Sequence, residues 1–294
     1  MNNGCLAILP DRGVIGISGE EATPFLHGLV TQNIENLKPG EATYTALLTP
    51  QGKVLFDFLV LRRDGGYLLD CARAALSDLT RRLGFYKLRA KVEIADKSDE
   101  LAVAALWDAP GDVAAPAGGY AFADPRADGL GVRLLAPEEK LRAGAEKHGW
   151  KQAEPKASDV HRIAQAVPEG FKDYESGEVF AHDACIDQLG GVDFYKGCYV
   201  GQEVVSRMHH RGTARKRFVA VRGRGLPEPG TAVTAGSTNL GKLTSGANGR
   251  GLALVRIDRA GEALSRGEAI KAGDIPVELS RPDWAAFDFP VPAE

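Results

Sequence analysis

Apolar positions along the chain fall into two rhythms, alternation and helical spacing, broken by Gly, Pro and Asp clusters. Residues 6–9 and 14–17 are short apolar runs around Pro10-Asp11-Arg12-Gly13, a turn composition, and predict a hairpin. Ser18-Gly19-Glu20-Glu21 has the form of a capping box, and Phe25, Leu26, Leu29 and Val30 predict a helix to about Asn33. Residues 43–48 and 54–61 flank Pro50-Gln51-Gly52-Lys53 as a second hairpin, and Asp64-Gly65-Gly66 leads into a third strand over 67–71. Leu76, Leu79, Leu83 and Tyr86 share one face of a helix over 74–86, with Arg81 and Arg82 opposite and Gly84 weakening its last turn. Strands follow at 92–95, 101–106 and 131–135, separated by an Ala-, Pro- and Gly-rich loop at 109–119. Pro137 opens a helix over 138–148, and another spans 158–166.

Residues 168–195 show no periodicity, and a long irregular stretch inside a compact domain is more often functional than idle. Beyond Arg211-Gly212 the pattern changes to short strands between Gly and Pro turns, at 218–221, 232–233, 242–245, 252–255 and within 269–279. That rhythm predicts a small β-barrel. The expected organisation is an α+β body over 1–212 and a β-barrel over 213–294, since strands and helices mix without a regular βαβ order.

Length changes little in this picture: 294 residues suffice for a substantial core and favour two domains. With 44% hydrophobic and 26% charged residues the chain has an ordinary globular composition. A net charge of −3 argues against bulk capture of nucleic acid, and no apolar run approaches the ~20 residues that span a bilayer. Neither nucleic acid nor membrane is therefore expected as a partner. The N-terminal residues lack a basic and an apolar region, so no signal peptide is expected. Cys5, Cys71, Cys185 and Cys198 form no C-x-x-C pair, which fits a reducing compartment, and a cytoplasmic location is expected. A metal reading would join His182, Cys185, Cys198 and a later histidine. Their spacing matches no tight ligand pattern, so no stable metal is expected.

Chemistry concentrates in Lys196-Gly197-Cys198-Tyr199-Val200-Gly201-Gln202-Glu203. The thiol of Cys198 lies in sequence between Lys196 and an amide–acid pair, with Arg207, His209, His210 and Arg211 downstream. Nearby cations favour a thiolate. If residues 199–209 are helical, Cys198 stands at the helix N-terminus, where the dipole acts in the same direction. Gly197 and Gly201 permit close approach of a ligand or positive φ. Asp57 is the second candidate: alternation puts its carboxylate on one face with Leu55 and Leu59, where it needs a partner.

The octapeptide resembles the signature of the YgfZ-type folate-binding proteins, relatives of the glycine-cleavage T-protein, an aminomethyltransferase. Gly190-Gly191-Val192-Asp193-Phe194-Tyr195 leads into it as in that family, and His27-Gly28-Leu29-Val30-Thr31 resembles a T-protein segment. Leu240 to Gly246 and Gly251 to Val255 resemble the T-protein barrel, so the likeness extends over about residues 10–285. It implies a tetrahydrofolate-binding protein that supports iron–sulfur cluster assembly or repair, with iron–sulfur client or assembly proteins as partners. Cys198 would be the reactive group and Lys196 its electrostatic partner. Asp57, Tyr199, Gln202, Glu203, Arg162 and Arg207 would border the folate site. Asp57 matches an acid that faces folate in T-proteins, although the neighbouring acid of that pair is Phe56 here. The alternative that the resemblance offers is a folate-dependent aminomethyltransferase with Asp57 as its acid.

Overall fold

The computed structural model describes residues 4–109, 112–212 and 214–290. Its contacts divide the chain into two units. The first takes residues 1–48, 55–159 and 190–200; the second takes 49–54, 160–189 and 201–294. This division differs from a single boundary after residue 212, because the irregular stretch and a β-turn from the N-terminal half cluster with the barrel.

The chain begins with β1 (Cys5–Ile8), β2 (Arg12–Ser18), α1 (Ala22–His27), β3 (Ala42–Leu48), β4 (Val54–Arg63) and β5 (Gly66–Ala72). It continues with α2 (Leu76–Lys87), β6 (Glu93–Asp96), β7 (Ala102–Trp107), β8 (Tyr120–Ala123) and β9 (Val132–Ala136). Then come α3 (Glu138–His148), β10 (Lys151–Gln152), α4 (Pro155–Ala164) and α5 (Gln202–Arg211). The remainder is β11 (Lys216–Arg222), β12 (Ala232–Ala235), β13 (Thr238–Ala247), β14 (Arg250–Arg256), α6 (Ile257–Ser265), β15 (Ile270–Ala272), β16 (Ile275–Pro276) and β17 (Glu278–Ser280).

Unit 1 holds two five-stranded sheets, ordered β3-β4-β5-β2-β6 and β10-β1-β7-β9-β8. In the first, β2 and β5 are buried along nearly their whole length, as expected for Val-, Ile- and Leu-rich central strands. The expected hairpin between residues 6–9 and 14–17 is not formed. A turn is present, with the Arg12 amide donating to the Leu9 carbonyl at 3.1 Å, but it carries the chain from one sheet to the other. Local pattern fixes a turn and not which partners the flanking strands take. A buried ionic chain ties the two sheets: Arg12 Nε donates to Asp70 at 2.6 Å, and Arg133 reaches both Asp70 (3.6 Å) and Asp124 (2.9 Å).

The capping box is also corrected. Glu21 makes no side-chain cap on α1; its carboxylate accepts from the Lys91 amide at 2.7 Å, a partner 70 residues away. The helix ends at His27 rather than near Asn33, because Val30 bridges to Leu47 and Thr31 is taken up by β3. Helical spacing of Leu29 and Val30 thus reported burial, not helix.

In unit 2 the seven strands run in the order β16-β15-β12-β13-β14-β11-β17. The two end strands, β16 and β17, are separated in sequence by Val277 alone, so the chain itself joins the sheet's edges and closes it into a barrel. Val219, Val221, Leu243, Ala253 and Val255 point into its core, and α6, which the strand pattern did not anticipate, packs Ile257, Ala260 and Ala263 against it. Among the described residues no helix is long and apolar enough to cross a membrane.

Candidate functional site

The two sequence stretches that carry the motifs meet in unit 1. Thr31 Oγ1 donates to the Gly191 carbonyl (2.6 Å), Gln32 Nε2 to the Gly190 carbonyl (2.5 Å), and the Asp193 amide to the Thr31 carbonyl (3.1 Å). Thr31 is itself fixed on β3, accepting from the Ala46 amide at 3.0 Å and lying 3.1 Å from the Thr45 hydroxyl. Lys196 completes the clamp. Its ammonium donates to the carbonyls of His27 (2.7 Å), Val30 (2.7 Å) and Gln32 (3.0 Å), the last residue of α1 and two of the segment that follows it. Burial lowers its pKa to about 8, against the opposing charges of Asp193 and Glu35.

One carboxylate oxygen of Asp193 accepts the amides of Tyr195 (2.7 Å) and Lys196 (3.1 Å), which turns the loop. Side chains of the loop then divide between an inward and an outward side. Lys196 is 7% exposed and Tyr199 is buried under it, with the ammonium 5.3 Å from the ring centre, while Tyr195 is 99% exposed. Burial, with Asp193 adding to it, raises the Tyr199 hydroxyl far above its usual range. Gly197 and Cys198 are exposed on the outward side, and Cys198 is the one exposed cysteine of the four.

Two expectations about the octapeptide are corrected by this geometry. Lys196 is not poised as a partner for the thiol; three carbonyls occupy its three donors, and it acts as the anchor beneath the loop. The helix that follows begins at Gln202 with Gly201 as its N-cap, so Cys198 precedes the cap in sequence and is not part of the helix's first turn. Gly201 has φ +84°, which accounts for glycine there, whereas a Cβ on Gly197 would meet nothing within 4 Å.

Gln202, Glu203 and Arg207 belong to α5, in unit 2. Glu203 and Arg207 form an exposed i,i+4 pair at 3.0 Å, so each largely satisfies the other. Within the same unit Val204 packs against the turn at Gly52, where an added Cβ would lie 2.8 Å from Val204 Cβ. Arg162 is buried, donating from Nη1 to Asp173 (2.6 Å) and to the Val167 carbonyl (2.7 Å). The other oxygen of Asp173 accepts from Thr244 (2.9 Å) and Ser245 (2.6 Å) on β13. Arg162 therefore joins α4 to the barrel through Asp173, a partnership that no local pattern signals.

Asp57 is 7% exposed, which excludes a solvated edge aspartate, and Tyr44 donates to its Oδ2 at 2.9 Å. Over the Tyr44 ring lies the Arg126 guanidinium, at 6.0 Å, and Arg126 grips Asp124 with two bonds at 3.0 and 2.8 Å. Burial alone would raise the Asp124 carboxyl, but Arg126 and Arg133 together hold it well below the usual carboxylate range. Tyr44 and Arg126 were missed in the sequence: each stands in an ordinary strand or loop context, and only pairing across β3 and β4 brings Tyr44 to Asp57.

The other thiols are of a different kind. Cys71 and Cys185 are buried, and burial pushes both to about 12. Among the described residues no group of three or more His, Cys, Asp or Glu is placed to hold a metal ion.

Comparison with known proteins places this geometry. Residues 11–108 match the GCVT N-terminal domain and residues 215–287 the CAF17 C-terminal beta-barrel domain. The chain is 33% identical over 295 residues to the Pyricularia oryzae protein named iron-sulfur cluster assembly factor IBA57 homolog, mitochondrial. That match covers 90% of this chain and 75% of the relative. The chain belongs to the IBA57 family.

The IBA57 homolog of Mycosarcoma maydis is also 33% identical, over 73% of this chain, which spans 56% of that relative's length. Among solved structures, the glycine cleavage system aminomethyltransferase T of Bartonella henselae has a TM-score of 0.78. It covers 98% of this chain and 88% of its own at 15% identity, so this chain shares the T-protein fold. The expected cytoplasmic location is overturned, since these IBA57 relatives are named as mitochondrial proteins. Cysteine usage reports redox poise and not address, and more than one compartment is reducing.

Proposed function

We propose that this protein supports the assembly or repair of iron–sulfur clusters, with Cys198 as the residue that meets the cluster, in a compartment matching the mitochondrial names of its relatives. The observation that carries the reading is an exposed thiol on a loop fixed from beneath by Lys196, whereas Cys71 and Cys185 are buried. A thiolate is the natural ligand of iron in such clusters. The loop gives it a defined position without burying it, which suits brief contact with a cluster carried by a partner protein. Cluster-bearing client or assembly proteins are thus the partners proposed.

We further propose a YgfZ-type function in which tetrahydrofolate binds the T-protein-like body at Asp57. A buried carboxylate oriented by Tyr44 suits the N–H donors of a pterin ring, and folate so bound is a carrier of one-carbon units. In this reading Asp57 accepts from the ring and Tyr44 holds the carboxylate in place. Asp57 also supports the second reading, a folate-dependent aminomethyltransferase, since that chemistry needs an acid at the folate.

The test has two arms. Cells lacking the protein are complemented with wild type or Cys198→Ser, and the activity of an iron–sulfur enzyme is followed. Titration calorimetry with tetrahydrofolate compares wild type with Asp57→Ala. Full complementation by Cys198→Ser sinks the thiol's role, and equal folate affinity in both proteins sinks the role of Asp57.

A further inference from the structure

On the outer wall of the barrel in unit 2, cations gather where the fold gives them no reason to. The inward positions of β11, β14 and β13 are Val219, Ala253, Val255 and Leu243, so the alternate positions face outward. Lys216 on β11 lies directly opposite Arg256 on β14, and Lys242 on β13 lies opposite Leu254, one outward step from Arg256. Arg259, from the first turn of α6, leans across with Nη1 donating to the Asn239 carbonyl at 3.0 Å. Together they border a cavity of ≈ 440 Å³ whose wall also includes Glu178.

Like charges directly opposite each other on a sheet are destabilising. Two of the four cations are relieved: Lys242 pairs with Glu178 at 2.7 Å, and Arg256 holds Asp258 with two bonds at 2.9 and 2.5 Å. Lys216 and Arg259 have no carboxylate partner among the described residues. The charge of Lys216 is still felt locally, since it contributes to holding Glu178 below its usual pKa, after the Glu175 amide and Lys242 have done the greater part against burial. The concavity therefore presents two uncompensated cations, flanked by the spare N–H groups of Arg256 and the side-chain amide of Asn239. With Glu178 engaged by Lys242, the four cations leave the concavity net positive, and such a surface concentrates anions.

We infer that this cavity binds a small multivalent oxyanion, a phosphate ester or a polycarboxylate. Lys216 and Arg259 supply the charge, and Asn239 and Arg256 add hydrogen bonds. Guanidinium and ammonium groups on neighbouring elements suit two or more adjacent anionic oxygens better than one. The site is independent of Cys198 and Asp57, so it stands or falls separately from the proposed function.

The experiment is an amide chemical-shift titration of the full chain at low ionic strength, with pyrophosphate in one series and citrate in another. The expected result is saturable binding, with shifts centred on residues 239–242 and 254–259. Lys216→Ala and Arg259→Ala should each weaken it by about tenfold, the scale of one charge-assisted hydrogen bond. Arg224→Ala, which removes an exposed cation elsewhere on the barrel, should leave affinity unchanged. Saturation by pyrophosphate alone assigns a phosphoryl ligand, and by citrate alone a polycarboxylate. Shifts that never saturate with either probe, or equal weakening by Arg224→Ala, overturn the proposal in favour of diffuse surface charge.

Discussion

The Lys196 ammonium donates to the Val30 carbonyl at 2.7 Å, joining residues 166 positions apart. The contact ties the segment after α1 to the loop that presents Cys198, with further bonds to His27 and Gln32 beside it. It makes the lysine of the octapeptide a structural anchor.

Removing that anchor should cost stability. Lys196→Ala leaves three carbonyls without their donor at a 7% exposed position, and the expected loss is about 3 kcal/mol. Denaturant midpoints measure it. If stability holds and only the reactivity of Cys198 changes, Lys196 is an electrostatic partner after all.

Cys198→Ser should change stability by less than about 0.5 kcal/mol, because the side chain is exposed. In the native protein Cys198 should be alkylated rapidly, with half-buried Cys5 slower and Cys71 and Cys185 protected. Peptide mapping after a timed iodoacetamide pulse distinguishes the four sites. Labelling of Cys185 at the rate of Cys198 would contradict the buried environment that pushes its thiol to about 12.

Gly197→Ala separates fold from encounter. An added Cβ meets nothing within 4 Å, and φ at Gly197 is not positive, so thermal stability should be unchanged. A fall in iron–sulfur enzyme activity in complemented cells would then come from a partner that approaches the loop closely. Wild-type activity would place that partner's contact elsewhere.

Tyr44→Phe removes the hydroxyl that orients Asp57 at 2.9 Å and leaves the ring beneath Arg126. Tetrahydrofolate affinity should fall about tenfold, one hydrogen bond to a charged group, with Asp57→Ala losing more. Calorimetry of both variants decides it. Unchanged affinity in Tyr44→Phe would mean that the pair serves the sheet alone.

His182 predicts a pH dependence. Burial lowers its pKa from 6.5, Arg217 and His209 push the same way, and Asp187 opposes them. The unfolded chain takes up this proton near 6.5 while the folded chain resists it, so the unfolded state binds more protons below that pH. His182 therefore contributes stability that is complete above pH 6.5 and is lost as pH falls through the lowered value. The difference in unfolding free energy between wild type and His182→Gln should shift with pH below 6.5 and be flat above it. A difference that is constant from pH 5 to 8 would refute the assignment.

How far the sequence reached depended on whether the relevant interaction was local. Helices α2 and α3, the strands β3 to β5 and the barrel strands follow from periodicities and turns contained within a dozen residues, and the structure has them within a few positions. The octapeptide and the segment 27–31 were legible as chemistry and resemblance because their residues are contiguous. The sequence by itself thus determined most of the strand and helix repertoire though not α6, together with the barrel region and the single thiol worth following.

Tertiary structure decided everything that depends on which elements become neighbours. A turn at residues 9–12 looks the same whether it closes a hairpin or crosses between sheets, and only the pairing of β1 with β7 and of β2 with β5 separates the two. The same holds for side chains. Lys196 has the composition of a thiolate partner in one dimension, yet His27 and the segment after α1 offer its ammonium three carbonyl acceptors. Tyr44 reaches Asp57 and Arg162 reaches Asp173 across sheet and helix boundaries. Hydrogen bonds depend on distances of about 3 Å in space, and sequence patterns carry only separation along the chain.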